Sequence, residues 1–269
     1  MCGQTLSRNG VCQNTTCDYR GEEKTALELP KANMQRRLGG AGLEFFILTV
    51  IEVIGIALSP FTAFISGMLA SLFNAIYMTG YGIAASYLGQ PDAGYATYTD
   101  MVGRAAQVVS RTTTPLIADA DTGFGGPLNV QHTIRGYERA GVQAIQIEDQ
   151  EFPKKCGHTP GRRVIPIEDM VTKLKVAADA RESEDFLIIA RTDSRTTLGL
   201  DEALRRGEAF AKAGADIVFI ESPETLDEMK TICTNFDKPC FANMVEGGRT
   251  PLLSAEELKE LGFAIAIFP

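Results

Sequence analysis

The chain has no tryptophan, only two histidines and six cysteines among 269 residues. The cysteines stand at positions 2, 12, 17, 156, 233 and 240, a spacing without zinc-finger pairing and too sparse for a disulfide framework. A reducing setting is therefore expected, the cytoplasm or an organelle interior. Basic charge is short as well: 26 Lys and Arg against 34 Asp and Glu leave a net charge of −8, which argues against a nucleic-acid binder. The polar start has no early apolar core, so no signal peptide is expected. Charge of either sign is missing between Glu52 and Asp92, and Phe45 to Met78 is dominated by apolar side chains. A membrane helix needs roughly 20 such residues. Two spans, Phe45–Leu58 and Phe61–Tyr77, could be drawn there; Glu44, Glu52 and the scarcity of charged flanks weigh against them.

What is present is a rhythm. Residues 1–42 read as an irregular tail, and 43–269 as one barrel domain. Short apolar runs at Ala75–Met78, Leu116–Ala118, Ala144–Ile147, Phe186–Ala190, Ile217–Ile220, Cys240–Ala242 and Phe263–Phe268 each end in polar residues. Continuous runs of this length fit strands buried on both faces of a parallel sheet. Val53–Leu58 supplies an eighth strand at the front. Amphipathic helices lie between them, with starts at Thr99-Asp100, Leu198–Asp201, Ser222–Glu224 and Ser254–Glu257. Arg139-Ala140-Gly141 and Lys212-Ala213-Gly214 both place glycine where a helix stops. Eight alternating strands and helices within about 250 residues make an α/β fold of the (β/α)8 TIM-barrel type. The chain reaches its last residue directly after the eighth strand, so the barrel is expected to lack its terminal helix. An open doubly wound sheet is the competing architecture, but Gly80-Tyr81-Gly82 is a poor dinucleotide loop.

In a barrel the C-terminal strand ends form the active face, and here they carry the chemistry. Asp119 and Asp121 are two apart, so strand alternation would aim both carboxylates at one point. Glu148 ends the next strand, and Asp92 brings a fourth acid to the rim. Oxygen donors of this kind favour Mg2+, with Mn2+ as a substitute. The glycines of Thr122–Gly126 would let backbone approach a ligand. Lys154-Lys155-Cys156-Gly157-His158 surrounds a thiol with cations, which should depress its pKa and suit it to proton donation or nucleophilic work. Gly157 and Pro160-Gly161 read as hinges of a closing loop. Arg191, Glu221 and Asn243 complete the ring, with Arg191 the natural partner of a substrate carboxylate. The whole suits a small di- or tricarboxylate and chemistry through an enolate held by the metal.

The segments "TGYGIAASYLGQPD", "DADTGFG", "IEDQ", "KKCGH", "ARTD" and "ANMVEGGRTP" resemble the isocitrate lyase/phosphoenolpyruvate mutase superfamily, from about Asn74 to Pro269. The resemblance implies a Mg2+-dependent carbon–carbon lyase acting on a 2-methylisocitrate- or dimethylmalate-like 2-hydroxy acid. An oxaloacetate hydrolase is the first alternative, then a phosphonomutase-type enzyme, then an inactive remnant of the family. It implies that Asp92, Asp119, Asp121 and Glu148 organise the metal, several through water, and that Thr79, Gly80 and Tyr81 hold the oxo-acid carboxylate. Cys156 would be the general acid, with Lys154, Gly157 and His158 completing its loop. Arg191, Glu221 and Asn243 would bind substrate carboxylates, and Tyr77 would assist deprotonation of the substrate hydroxyl. A homo-oligomer is implied too, although the expected loss of the terminal helix weighs against the family's exchange of that helix between subunits. "SPFTAFISGMLASLF" departs from the family's first βα unit, lacking its Asp and Arg.

Overall fold

The computed structural model describes the backbone of Phe46–Thr49 and residues 74–269 apart from 158. Eight strands form one parallel sheet: β1 (Phe46–Thr49), β2 (Ala75–Met78), β3 (Leu116–Asp119), β4 (Ala144–Glu148), β5 (Leu187–Thr192), β6 (Ile217–Ile220), β7 (Phe241–Asn243) and β8 (Ile265–Phe268). Their order is β6-β5-β4-β3-β2-β1-β8-β7, and a parallel bridge between Val218 and Cys240 joins the two ends. The sheet is closed. This is the barrel expected from the alternating runs, and the seven later runs fall on strands with bounds shifted by no more than two residues.

The first strand is a correction. Phe46–Thr49 pairs with both β2 and β8 and so fills the place assigned to Val53–Leu58, a segment outside the described residues. The proposed tail, 1–42, lies outside them as well. Of the apolar run, Phe46–Thr49 and Ala75–Met78 are barrel strands rather than parts of membrane helices. Among the described residues no helix is long and apolar enough to cross a membrane.

Helices connect the strands. A short turn α1 (Gly80–Ile83) runs into a π-helical turn (Ala84–Leu88), and α2 (Tyr98–Val109) follows. Then come α3 (Pro127–Arg139), α4 (Ile167–Ala180), α5 (Arg195–Leu198), α6 (Leu200–Lys212), α7 (Leu226–Asn235) and α8 (Ala255–Leu261). Thr97 and Ser254 start α2 and α8 with reciprocal capping boxes to Asp100 and Glu257, each satisfying backbone N–H groups that the first turn leaves unpaired. The start of α2 is thus two residues earlier than Thr99, and α7 begins at a Thr225 cap rather than at Ser222–Glu224. Gly141 and Gly214, at φ 86° and 111°, end α3 and α6 in the left-handed region.

Side-chain alternation sorts strands β2 to β8 into an inward and an outward core. Tyr77, Ile117, Ile189, Phe219, Phe241 and Ile265 fill the barrel interior, with Phe219 and Phe241 ring centroids 4.7 Å apart. Ile76, Leu116, Ile145, Ile188 and their neighbours point outward against the helices. Each large apolar side chain removed from water contributes about 1.5–3 kcal/mol, so both faces of strands β2 to β8 are mostly apolar below the mouth. Counting upward by twos from the interior set reaches Asp119 from Ile117, Arg191 from Ile189, Glu221 from Phe219 and Asn243 from Phe241. The interior core and the site are successive layers of the same inward rows.

Candidate active site

A cavity of about 330 Å³ opens at the C-terminal mouth. Tyr77, Thr79, Tyr81, Asp92, Asp119 and Glu148 face it, as do Lys154, Cys156, Gly157, Arg191 and Asn243. Gly80, Asp121 and Glu221 stand behind this wall, and His158 lies outside the described residues.

Asp119 and Asp121 come together, but not by strand alternation. The strand stops at Asp119, and Asp121 has φ 48°, a left-handed turn. The Asp121 N–H donates to Asp119 Oδ1 at 2.9 Å, and the Gly80 N–H donates to Asp119 Oδ2 at 3.0 Å. Gly80 is required there: a Cβ on it would stand 2.8 Å from Asp121 Oδ1. Thr79 caps α1 by accepting from the Gly82 N–H at 2.7 Å, so its hydroxyl has a structural partner beside the cavity. None of Thr122–Gly126 lines the cavity; a Cβ on Gly123 would strike Val130 and one on Gly125 would strike Asn129, so these glycines serve the tight entry into α3.

The acids hold a cation of the chain's own. Lys154 Nζ lies 2.6 Å from Asp92 Oδ1 and 2.7 Å from Asp121 Oδ1, and the three side chains are almost fully buried. Asp92, Asp121, Glu148 and Asp119 together raise the lysine pKa against the opposing effect of burial. Burial pushes the Asp121 carboxyl up to about 7, with Asp119 and Asp92 adding to the rise and Lys154 opposing it. Burial likewise raises Glu148, with Arg191 and Lys154 opposing. As arranged around Lys154, no three His, Cys, Asp or Glu side chains among the described residues gather as a metal cage. The donor chemistry nonetheless fits a hard cation: the groups are carboxylates that outnumber the one lysine among them, and buried Asp121 Oδ1 has the ammonium near it but no well-aligned hydrogen bond. An ion of Mg2+ type needs only one or two direct carboxylates and otherwise keeps water.

The thiol loop is held from below. Gln150 donates to Glu148 Oε1 and to the Lys155 carbonyl, both at 2.9 Å, and accepts from the Lys155 N–H at 3.1 Å. Gln150 also pairs with Val164 in an antiparallel bridge that closes the loop stem. Both lysines are engaged away from the expected ring around Cys156: Lys154 on the acids, and Lys155 on the Gly161 carbonyl at 3.2 Å. Gly157 packs directly on Arg191, since a Cβ there would lie 2.3 Å from its guanidinium nitrogen.

Arg191 is gripped by carboxylates. Its Nε and one terminal nitrogen donate to the two oxygens of Asp193 at 2.9 Å each, and the other terminal nitrogen lies 3.2 Å from Glu221 Oε2. Asn243 Nδ2 donates to the same Glu221 oxygen at 3.3 Å. Glu221 therefore holds Arg191 and Asn243 from behind the cavity wall. Asp193 also takes buried Arg162, from the far stem of the thiol loop, and Arg162 reaches Thr196 at 2.6 Å. Tyr77 donates its hydroxyl to Gln146 Oε1 at 2.6 Å, and burial together with Asp119 raises its pKa well above the usual phenol value. The hydroxyl proton is thus directed at Gln146 rather than into the cavity.

Sequence reasoning missed Gln146, Gln150, Arg162 and Asp193. Gln146 and Asp193 each lie two residues from a named site residue on an inward strand row, and that spacing was the available signal. Gln150 stood in the quoted segment "IEDQ" without a role, because its role depends on how the loop folds back; Arg162 had no signal for the same reason.

A closed parallel barrel with an acid cluster, an arginine and a thiol loop at its mouth places the chain among TIM-barrel enzymes. The family model for phosphoenolpyruvate phosphomutase matches residues 59–269, and the chain belongs to the isocitrate lyase/phosphoenolpyruvate mutase superfamily. It is 57% identical to the 2,3-dimethylmalate lyase of Eubacterium barkeri over 77% of this chain and 71% of that protein. It is 42% identical to the petal death protein of Dianthus caryophyllus over 71% of this chain, and 43% identical to the 2-methylisocitrate lyase of Aeropyrum pernix over 73%. The chain spans 60% and 63% of the lengths of those two. Among solved structures, a 2,3-dimethylmalate lyase superposes with a TM-score of 0.82 at 38% identity, covering 89% of this chain and 78% of that one. An oxaloacetate acetylhydrolase with the inhibitor 3,3-difluorooxalacetate gives 0.80 at 33% identity, covering 89% and 80%.

Proposed function

We propose that the chain is a Mg2+-dependent lyase that splits a small 2-hydroxy dicarboxylate of the 2,3-dimethylmalate type into two carboxylic acids. The observation that supports this most is the cavity in which Asp119, Glu148, Arg191 and Cys156 face one another, in a chain 57% identical to a 2,3-dimethylmalate lyase. Arg191 and Asn243 present donors for a substrate carboxylate. The bond between the hydroxyl-bearing carbon and its neighbour breaks; the hydroxyl loses its proton to the acid rim and becomes the carbonyl of a 2-oxo acid. The electron pair of the broken bond passes to the neighbouring carbon, which takes a proton from the Cys156 thiol. Asp92, Asp119, Asp121 and Glu148 would hold Mg2+, which when bound stabilises the negative charge that develops on the substrate oxygens. Lys154 neutralises part of the acid cluster, and Gly157 seats the thiol loop on Arg191, which keeps water from the reacting carbon. A homo-oligomer and a cytoplasmic setting belong to the same reading.

The test is product analysis with Mg2+ present. Equimolar pyruvate and propionate from 2,3-dimethylmalate support the proposal. Cleavage of 2-methylisocitrate alone would move the substrate within the lyase class, and oxalate from oxaloacetate without lyase turnover would replace it by the hydrolase reading.

A further inference from the structure

Gln146 is the only strand residue of the interior rows that carries an amide below the acid rim among those described as buried, and it touches two site residues at once. It is fully buried on β4 and reaches both Tyr77 of β2 and Asp119 of β3. The Tyr77 hydroxyl lies 2.6 Å from Gln146 Oε1, and Gln146 Nε2 lies 3.4 Å from Asp119 Oδ1.

These contacts have only one consistent polarity. The Gln146 NH2 group faces Asp119 Oδ1, which leaves the amide oxygen, an acceptor only, facing Tyr77. The phenol must donate its single proton to that oxygen. Its lone pairs are then directed away from Gln146, and the tyrosine lines the cavity. The ring is fixed as well, packed at 5.9 Å from Phe241 with a tilt of 56°.

We infer that Gln146 is a positioning residue that sets Tyr77 as a hydrogen-bond acceptor for the hydroxyl of a bound 2-hydroxy acid, before that hydroxyl turns to give its proton to the acid rim. Asp119 holds the amide, the amide holds the phenol, and the phenol distinguishes substrates that carry a hydroxyl from those that do not. The inference rests on the proposed 2-hydroxy acid substrate, and binding separates its fate from that of the lyase reading.

The experiment measures the affinity of the full chain for malate and for succinate, which differ only in the 2-hydroxyl, by calorimetry with Mg2+. Tyr77→Phe, Gln146→Met and the double variant are compared, with melting curves to confirm folding. The wild type is expected to prefer malate by about tenfold, the value of one net hydrogen bond. Each single variant loses that preference, and the double variant loses no more than either single one. Gln146→His retains much of it, because a neutral imidazole can donate to Asp119 and accept from Tyr77. An additive loss in the double variant, an unchanged preference in Gln146→Met, or equal failure of Gln146→His and Gln146→Met overturns the inference. Should Gln146→Met fail to fold, the loss in Tyr77→Phe and the retention in Gln146→His decide it. Malate selectivity without any cleavage of 2,3-dimethylmalate would sink the lyase reading and leave the Gln146 assignment standing.

Discussion

Lys154 Nζ stands 2.7 Å from Asp121 Oδ1, deep in the acid cluster where a divalent cation would otherwise balance the charge. Removing one partner of a buried ion pair typically costs about 3–5 kcal/mol, because the other charge is left uncompensated. Lys154→Met is therefore expected to lower the melting temperature in EDTA, by about 2–4 °C per kcal/mol in a domain of this size. Saturating Mg2+ should recover part of the loss. Scanning calorimetry with and without Mg2+ reads both effects; a variant that melts like the wild type in EDTA would show that the pair has no structural weight.

The acids also make stability depend on pH. Asp121 is raised by burial to about 7 from an ordinary value of 3.8. Between those values the folded state holds a proton that the unfolded state has released, so this group's contribution to stability falls as pH rises from about 4 through 7. Mg2+ binds the ionised form and opposes that fall. The melting-temperature increment produced by Mg2+ is expected to be larger at pH 8 than at pH 5.5. An increment that does not change with pH would disconnect the ion from these carboxylates.

Asp193 is the hidden support of Arg191, the arginine proposed to bind the substrate carboxylate. Arg191 and Arg162 both lower its pKa against the effect of burial, and it holds Arg191 by a two-point fork. Asp193→Asn keeps the shape and removes the charge. It should raise KM for the dicarboxylate more than it lowers kcat, by about tenfold, the loss of one charge-assisted contact. Steady-state kinetics on a variant of native melting temperature checks this, and an unchanged KM would remove Asp193 from substrate positioning.

Gly157 is fixed by contact rather than by backbone conformation. Gly157→Ala would put a methyl group 2.3 Å from the Arg191 guanidinium. The thiol loop would then fail to seat, with an expected drop in kcat of about 10²-fold, the scale of a lost general acid, and little change in melting. Parallel measurement of Cys156→Ser should show a loss of similar size. Full activity in Gly157→Ala would mean that the seated loop is not the working state.

Much of this was legible in the sequence for a physical reason. Strands buried on both faces must be continuously apolar, so Ala75–Met78 and Ile217–Ile220 announce themselves with their bounds intact. The strand ends carry the polar residues, so Asp119, Glu148, Arg191 and Asn243 follow directly. The failures share a cause as well. In an apolar stretch from Phe45 to Met78, periodicity cannot choose between Phe46–Thr49 and Val53–Leu58 as the first strand. Asp121 was placed for a wrong reason, since a left-handed turn rather than strand alternation brings it to Asp119. Lys154 was read as a neighbour of the thiol because sequence adjacency does not show which way a long side chain turns. Partners such as Gln146 with Tyr77, 69 residues apart, exist only once the barrel closes.

The central claim is carbon–carbon cleavage with proton delivery to the released carbon, and the most direct measurement is turnover of 2,3-dimethylmalate in D2O with Mg2+. The Cys156 thiol exchanges with solvent, so the account predicts equimolar pyruvate and propionate, the propionate carrying one deuterium at the carbon beside its carboxylate, with no products after chelation by EDTA. Propionate without deuterium, or product formation undiminished in EDTA, would contradict it.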